Sequence, residues 1–216
     1  MHDSQFPFFS TAYFPPISYI SQCLKHAGFC IEAYETFPKQ SYRNRCVIAT
    51  ANGLQNLIIP IKKPYGNRTP THEVAISYAE PWQRLHQRAL HTAYKASPFY
   101  DFYIHELLTI FESKHENLLN LNNEALKIIF KLLKVDPKFY FSEAYLPESK
   151  VASDFRNFFN PKKQLKENLF PFYYQVFGHK YDFQANLSIL DLLFNEGPQS
   201  LLYLKQIPDF SQDRQS

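Results

Sequence analysis

The apolar positions of the chain follow strand spacing first and helix spacing later. Phe6 to Ser10 is a short apolar run, broken by Thr11-Ala-Tyr-Phe-Pro-Pro16. Ile17, Ile20 and Leu24 then recur at helical spacing with Cys23 beside them. Pro16 fits the first turn of that helix, where its missing N–H costs nothing, and Gly28 is the expected helix end. From Phe29 to Glu35 the pattern alternates: Phe29, Ile31 and Ala33 face one way, and Cys30, Glu32 and Tyr34 the other. Two strands flanking one helix predict a right-handed parallel crossover.

A hairpin follows. Cys46–Thr50 and Leu54–Ile61 are rich in strand formers, and Asn52-Gly53 sits between them. That dipeptide predicts a type I′ turn, in which both central residues need positive φ. After a polar loop over 62–70, Glu73–Tyr78 reads as a further strand. The middle of the chain is helical. Pro81 opens a helix with Trp82, Leu85, Ala89 and Ala93 on one face and His86 and Leu90 beside it. Ser97-Pro98 opens a second, with Phe102, Leu107, Leu108 and Phe111 as apolar positions, and Asn122 or Asn123 is the expected cap of a third. Phe139–Ser142 returns as a short buried strand. Residues 148–164 are polar, without clear periodicity, and predict a surface loop. Ser188–Phe194 and Ser200–Leu204 are compact helices, separated by Asn195-Glu-Gly-Pro198. The fold class expected is α/β: a mixed β-sheet with an N-terminal strand–loop–helix unit, a hairpin and packed helices, in a single layered domain over 1–208 with a disordered tail over 209–216.

Composition narrows the function more than it shapes the fold. The chain carries 21 Phe and 15 Tyr but 5 Gly, so rings supply much of the core and glycine-rich phosphate loops are unexpected. The formal charge of +3 is spread along the chain and does not suggest nucleic acid. Cys23, Cys30 and Cys46 are odd in number and lack zinc-site spacing, so free thiols in a reduced compartment are expected. No apolar run approaches the roughly 18 residues of a membrane span, and the first residues lack the pattern of a signal peptide. A cytoplasmic protein without metal or cofactor is the resulting expectation. Walker, dinucleotide and zinc-deaminase motifs are missing, and there is no nucleophile elbow.

Four segments carry a resemblance: Ser10-Thr-Ala-Tyr-Phe-Pro-Pro-Ile-Ser-Tyr19; Tyr42-Arg-Asn-Arg45; Trp82-Gln-Arg-Leu-His86 followed by Tyr94-Lys-Ala-Ser-Pro-Phe99; and Asn186-Leu-Ser-Ile-Leu-Asp-Leu-Leu-Phe-Asn-Glu-Gly-Pro198. In this order they resemble the WbqC-like family of bacterial proteins over nearly the whole chain, the last segment most specifically. The resemblance implies a role in surface-polysaccharide precursor assembly, such as that of O-antigen, and a transfer step onto an amino sugar or sugar nucleotide. Many such proteins carry His-Gln-Pro or Met-Gln-Pro just after the first strand; here Ser10-Thr11-Ala12 stands there, with small hydroxyls in place of a titratable or amide side chain.

The candidate site residues follow from chemistry. Ser10, Thr11 and Tyr13 lie in the loop after the first strand, where open α/β sheets bind ligands, although capping and packing also explain them. Arg43 and Arg45 point to opposite faces of an extended segment; one suits an anion and the other an internal acid, with Tyr42 as a stacking surface and Asn44 between them. His86 suits proton transfer, or a hydrogen-bonded structural place beside the core stripe; His91 and Lys95 are weaker candidates. Asp191 lies in an otherwise apolar helix and needs a partner, for which Arg43 or Arg45 is available, and it reads first as half of a structural pair. Ser188 and Asn195 could cap that helix or reach a ligand. The expected enzyme is an acyl, aminoacyl or glycosyl-type transferase, with His86 and Asp191 catalytic. The remaining residues would hold a small molecule, a sugar nucleotide or other anionic metabolite. The alternative is a non-catalytic ligand-binding or interaction protein of the same assembly. A nucleic-acid binder is the weakest option.

Overall fold

A computed structural model of the protein describes residues 6–147, 151, 153–163 and 165–211. Its centre is a four-stranded parallel sheet. β1 (Pro7–Ser10) leads through α1 (Ile17–Cys23) to β2 (Gly28–Glu32), and the two strands pair in parallel with Ser10 opposite Glu32. β7 (Lys138–Phe141) pairs with β2, and β8 (Ser153–Asp154) pairs with β1, so the order is β7-β2-β1-β8 with every pair parallel. A parallel sheet is buried on both faces, and all residues of β1 and β2 are buried. Aromatic rings tie the strands together. Phe155, Phe9, Phe29 and Phe139 form a row across the sheet with successive centroids 4.7, 5.4 and 5.3 Å apart, within the range in which ring pairs add to plain burial.

The hairpin is present as β3 (Arg45–Thr50) and β4 (Gly53–Ile58), antiparallel with Thr50 opposite Gly53. Its turn is not type I′. The loop residues are Ala51 and Asn52, and Gly53 alone among these takes positive φ, at 97°. The glycine is therefore needed one place later, where the turn rejoins the strand. β5 (Ile61–Lys62) and β6 (Ala75–Ile76) form a second small antiparallel pair; the strand expected over Glu73–Tyr78 is thus shorter, and Glu73 ends a 3₁₀ turn, Thr71–Glu73.

The helices α2 (Trp82–Tyr94), α3 (Tyr100–Glu112), α4 (Leu118–Leu132), α5 (Ile189–Glu196) and α6 (Ser200–Gln206) complete the layers. α2 is rotated by one residue from the expected face: His86 and Leu90 are buried with Trp82 and Ala93, while Leu85 is exposed. On α3, Phe102 is exposed as well. α4 is capped at Asn117, well before the expected Asn122 or Asn123, because the Asn117 side chain accepts hydrogen bonds from the N–H groups of Leu119 and Asn120; Asn122 lies inside the helix, buried, with other partners. α1 ends at Leu24 and Gly28 opens β2, so that glycine is no helix cap. Gly197 does end α5, at φ 52°, and a Cβ there would fall 2.5 Å from the Phe99 ring; both the backbone angle and the contact require glycine.

The 148–164 segment departs most from expectation. Residues 148–150, 152 and 164 lie outside the described residues. The rest supplies β8 and buries Phe155, Arg156 and Phe159. Of the expected tail over 209–216, residues 209–211 are described. Phe210 is buried, and its N–H donates to Gln22 Oε1 at 2.9 Å; residues 212–216 lie outside the described residues.

Candidate functional site

Because all four central strands run the same way, their carboxyl ends share one edge, which is where ligands bind in open α/β sheets. A cleft of 490 Å³ opens there, lined by Tyr34, Glu35, Thr36, Pro38, Tyr145, Asp154, Arg156 and Asn157. These residues follow β2, follow β7, and end or follow β8. Beneath the cleft, five charged side chains interlock. Glu35 accepts from Arg43 Nε at 2.8 Å and Nη2 at 2.7 Å, a two-pronged pair. Arg156 bonds Asp154 through Nε and Nη2, Glu32 Oε2 through Nη1 at 3.1 Å, and the Leu146 carbonyl through Nη1 at 2.7 Å. Arg43 Nη2 also reaches the Arg156 carbonyl, joining the two systems.

Glu32, which ends β2, is fully buried. Its other contacts fix the chain around it: Ser142 Oγ donates to it at 2.7 Å, and the N–H groups of Tyr34 and Leu146 point at it. Burial pushes the Glu35 carboxyl above the usual carboxylate range, against the opposing pull of Arg43. Burial alone would lower Arg156, but hydrogen bonding and charge from Asp154 and Glu32 outweigh it and hold the guanidinium charged. The result is a carboxyl that lines the cleft, is held by a two-pronged partner and has a raised affinity for a proton.

Of the residues expected from sequence, Arg43 reaches this cluster, where its acid is Glu35 and not Asp191. The rest are not members of the cluster, and most find partners elsewhere in the protein. Ser10 ends β1 at the same edge, but its carbonyl accepts from Tyr19. Thr11 Oγ1 and the Arg43 carbonyl share the amide of Asn122. Asn44 bonds the Ile59 carbonyl. Arg45 lies in β3, and its Nε is buried without a hydrogen-bond partner among the described residues. Tyr42 is half-buried, its hydroxyl pushed up to about 12 by burial. Ser188 caps α5 through the Leu190 N–H and donates to the Phe14 carbonyl.

His86 and Asp191 occupy two further buried pockets of polarity. Tyr13 Oη and His86 Nδ1 are 2.9 Å apart, with Trp82 and Phe111 around the imidazole. Burial pushes His86 down to about 4, so it is neutral at physiological pH. Asp191 Oδ2 accepts from Tyr173 at 2.5 Å and Gln175 at 2.9 Å, and Asn195 donates to the Asp191 carbonyl. No arginine or lysine pairs with Asp191 among the described residues, and burial raises its carboxyl. Neither residue lines the cleft.

The site residues that sequence reasoning missed are Glu32, Glu35, Asp154 and Arg156. Their signal was present: a carboxylate closing an otherwise apolar strand, and Phe155-Arg-Asn-Phe-Phe159, an aromatic cluster inside a segment read as polar. Among the described residues, no group of three or more His, Cys, Asp or Glu is arranged to hold a metal ion, and no helix is long and apolar enough to cross a membrane.

The description "WbqC-like protein family" matches residues 11–169, most of the chain and both halves of this cluster. The chain belongs to the WbqC-like protein family. It is also similar to "Uncharacterized protein Rv1507c" of Mycobacterium tuberculosis, 26% identical over 89% of this chain and 91% of that one. No solved structure matches. The match takes in β2 to β8 and the cleft-lining residues, so in this WbqC-like chain the cluster belongs to the matched part, whereas β1 precedes it and α5, with Asp191, lies beyond it.

Proposed function

We propose that this WbqC-like protein is a transferase of bacterial surface-polysaccharide precursor assembly, acting on an amino sugar or sugar nucleotide held in the cleft at the carboxyl edge of the parallel sheet. The observation that carries the reading is the buried five-charge cluster opening on a 490 Å³ cleft between exposed Tyr34 and Tyr145. Polar groups locked by their own partners, aromatic walls and a sheet-edge location are the features of a small-molecule site. Glu35 is the proposed base and Arg43 its positioning residue. The acceptor ammonium first gives one proton to Glu35; the freed amine then attacks an activated acyl or glycosyl donor, the new bond to nitrogen forms as the donor's bond to its leaving group breaks, and the second nitrogen proton departs with that group. The raised affinity of Glu35 for a proton favours that step. Ser10 and Thr11 shape the same edge from beneath, while His86 and Asp191 organise the interior.

Calorimetric titration against sugar nucleotides, amino sugars and acyl or aminoacyl donors, followed by mass spectrometry of donor–acceptor mixtures, tests this. The expected result is binding of an acceptor and a donor with product formed, and a loss of turnover of about 10²–10⁴-fold in Glu35→Gln, far larger than its several-fold loss of acceptor affinity. Silence across the whole panel contradicts the proposal. A second reading, a ligand-binding protein without turnover, is supported by the completeness of the ion pairs, each guanidinium of the cluster being bonded to carboxylate. Binding without product would select it.

A further inference from the structure

The ion pairs at the sheet edge leave a charge imbalance that governs what the cleft can accept. Three carboxylates, Glu32, Glu35 and Asp154, stand against two guanidiniums, Arg43 and Arg156. Neither guanidinium offers its charge to a newcomer. Arg43 is buried and spends Nε and Nη2 on Glu35. Arg156 spends Nε and Nη2 on Asp154, and Nη1 on Glu32 and the Leu146 carbonyl. A phosphate or carboxylate entering the cleft would have to displace one of these acids and leave it buried and unpaired, which is costly.

The carboxylates are in the opposite position. Each has about four acceptor sites, and Glu35 and Asp154 both line the open space. The aromatic walls add to this preference. Arg156 already lies over the Tyr145 ring, 5.5 Å from its centroid, so that face is in use as a cation surface. Tyr34, also on the cleft, is partly exposed, and a ring beside carboxylates strengthens a site for an ammonium.

We infer that the cleft selects a ligand carrying a protonated primary amine, seated against the Glu35 and Asp154 carboxylates with Tyr34 as a wall, and disfavours anionic ligands. The inference rests on the reading of the cleft as a sugar site and adds the sign of charge it takes. It also reverses the sequence-based expectation of an anionic metabolite for the part of the ligand that enters this cleft.

The test uses three probes that share a ring and differ in charge: glucosamine, glucose and glucose 1-phosphate, titrated into the full chain by calorimetry at neutral pH. Glucosamine is expected to bind about tenfold tighter than glucose, with glucose 1-phosphate weakest, as for a charge-assisted contact. Added salt should shrink the advantage of the amine. Glu35→Gln should reduce that advantage to about twofold while glucose binding persists, with a thermal melt to establish its fold. Tyr34→Leu, at a partly exposed ring, provides a second variant and should weaken glucosamine several-fold. Preferential binding of glucose 1-phosphate, or an amine preference that survives Glu35→Gln, overturns the charge assignment. Equal binding of all three also removes that assignment but keeps the cleft as a sugar site, whereas no binding by any of them ends both.

Discussion

The charged cluster at the sheet edge and the polar groups around His86 and Asp191 are buried to similar depth, yet they answer burial in different ways. At the sheet edge, the carboxylates of Glu32, Glu35 and Asp154 are paired with the guanidiniums of Arg43 and Arg156. In the helical layer, polarity is carried by groups that need no countercharge: Tyr13 meets a neutral His86, and Asp191 is held by Tyr173 and Gln175. Pairing keeps charge available beside open space, and the cleft lies there. Hydrogen bonding without a countercharge gives anchors inside the helical layer, away from the cleft. A residue with chemical potential in a sequence can therefore fall in either region, and the neighbours that fold around it decide which.

The largest effect is expected from breaking the charged region. Arg156→Met leaves Glu32 and Asp154 without their cation, and removing one partner of a buried pair costs about 3–5 kcal/mol. Urea unfolding at neutral pH should show that loss, and a change under about 1 kcal/mol would mean that the cluster is solvated rather than buried. The next effect belongs to the neutral region and appears with pH. An unfolded histidine gains its proton as pH falls through 6.5, whereas folded His86 resists until about 4. The unfolded chain thus binds more protons in that window, so stability falls with falling pH, by about 3 kcal/mol across it. Glu35 and Asp191, whose carboxyls are raised, act with the opposite sign: they favour the folded state at low pH and lose that contribution as pH rises. Comparing wild type with His86→Gln at pH 7 and pH 4.5 isolates the histidine, and the variant should lose the corresponding part of the slope. An unchanged slope would place His86 in contact with water.

Much of the fold was legible in the sequence. The β1–α1–β2 crossover, the hairpin and the helices around α5 follow from periodicity and breaking residues. The turn of the hairpin was not, because Asn-Gly chemistry alone does not say which of its two residues closes the ladder. The α2 stripe was misjudged because His86 was counted as polar, while Tyr13 and the surrounding rings make its place apolar enough to bury it. The site was less legible than the fold. Glu35 and Arg43 are eight residues apart and Glu32 and Arg156 are 124 apart; nothing in local pattern joins them. Only the parallel pairing of β8 with β1 brings Arg156 to the end of β2, and β8 comes from the segment with the weakest pattern of all.

The central claim is that the carboxyl edge of the parallel sheet is where the ligand binds. Its most direct test is backbone amide NMR of the labelled protein titrated with glucosamine. The account predicts shifts concentrated at residues 32–36, 142–146 and 153–157, with the amides around His86 and Asp191 unmoved. Shifts centred on residues 86–94 or 188–195, with the sheet edge silent, would contradict it.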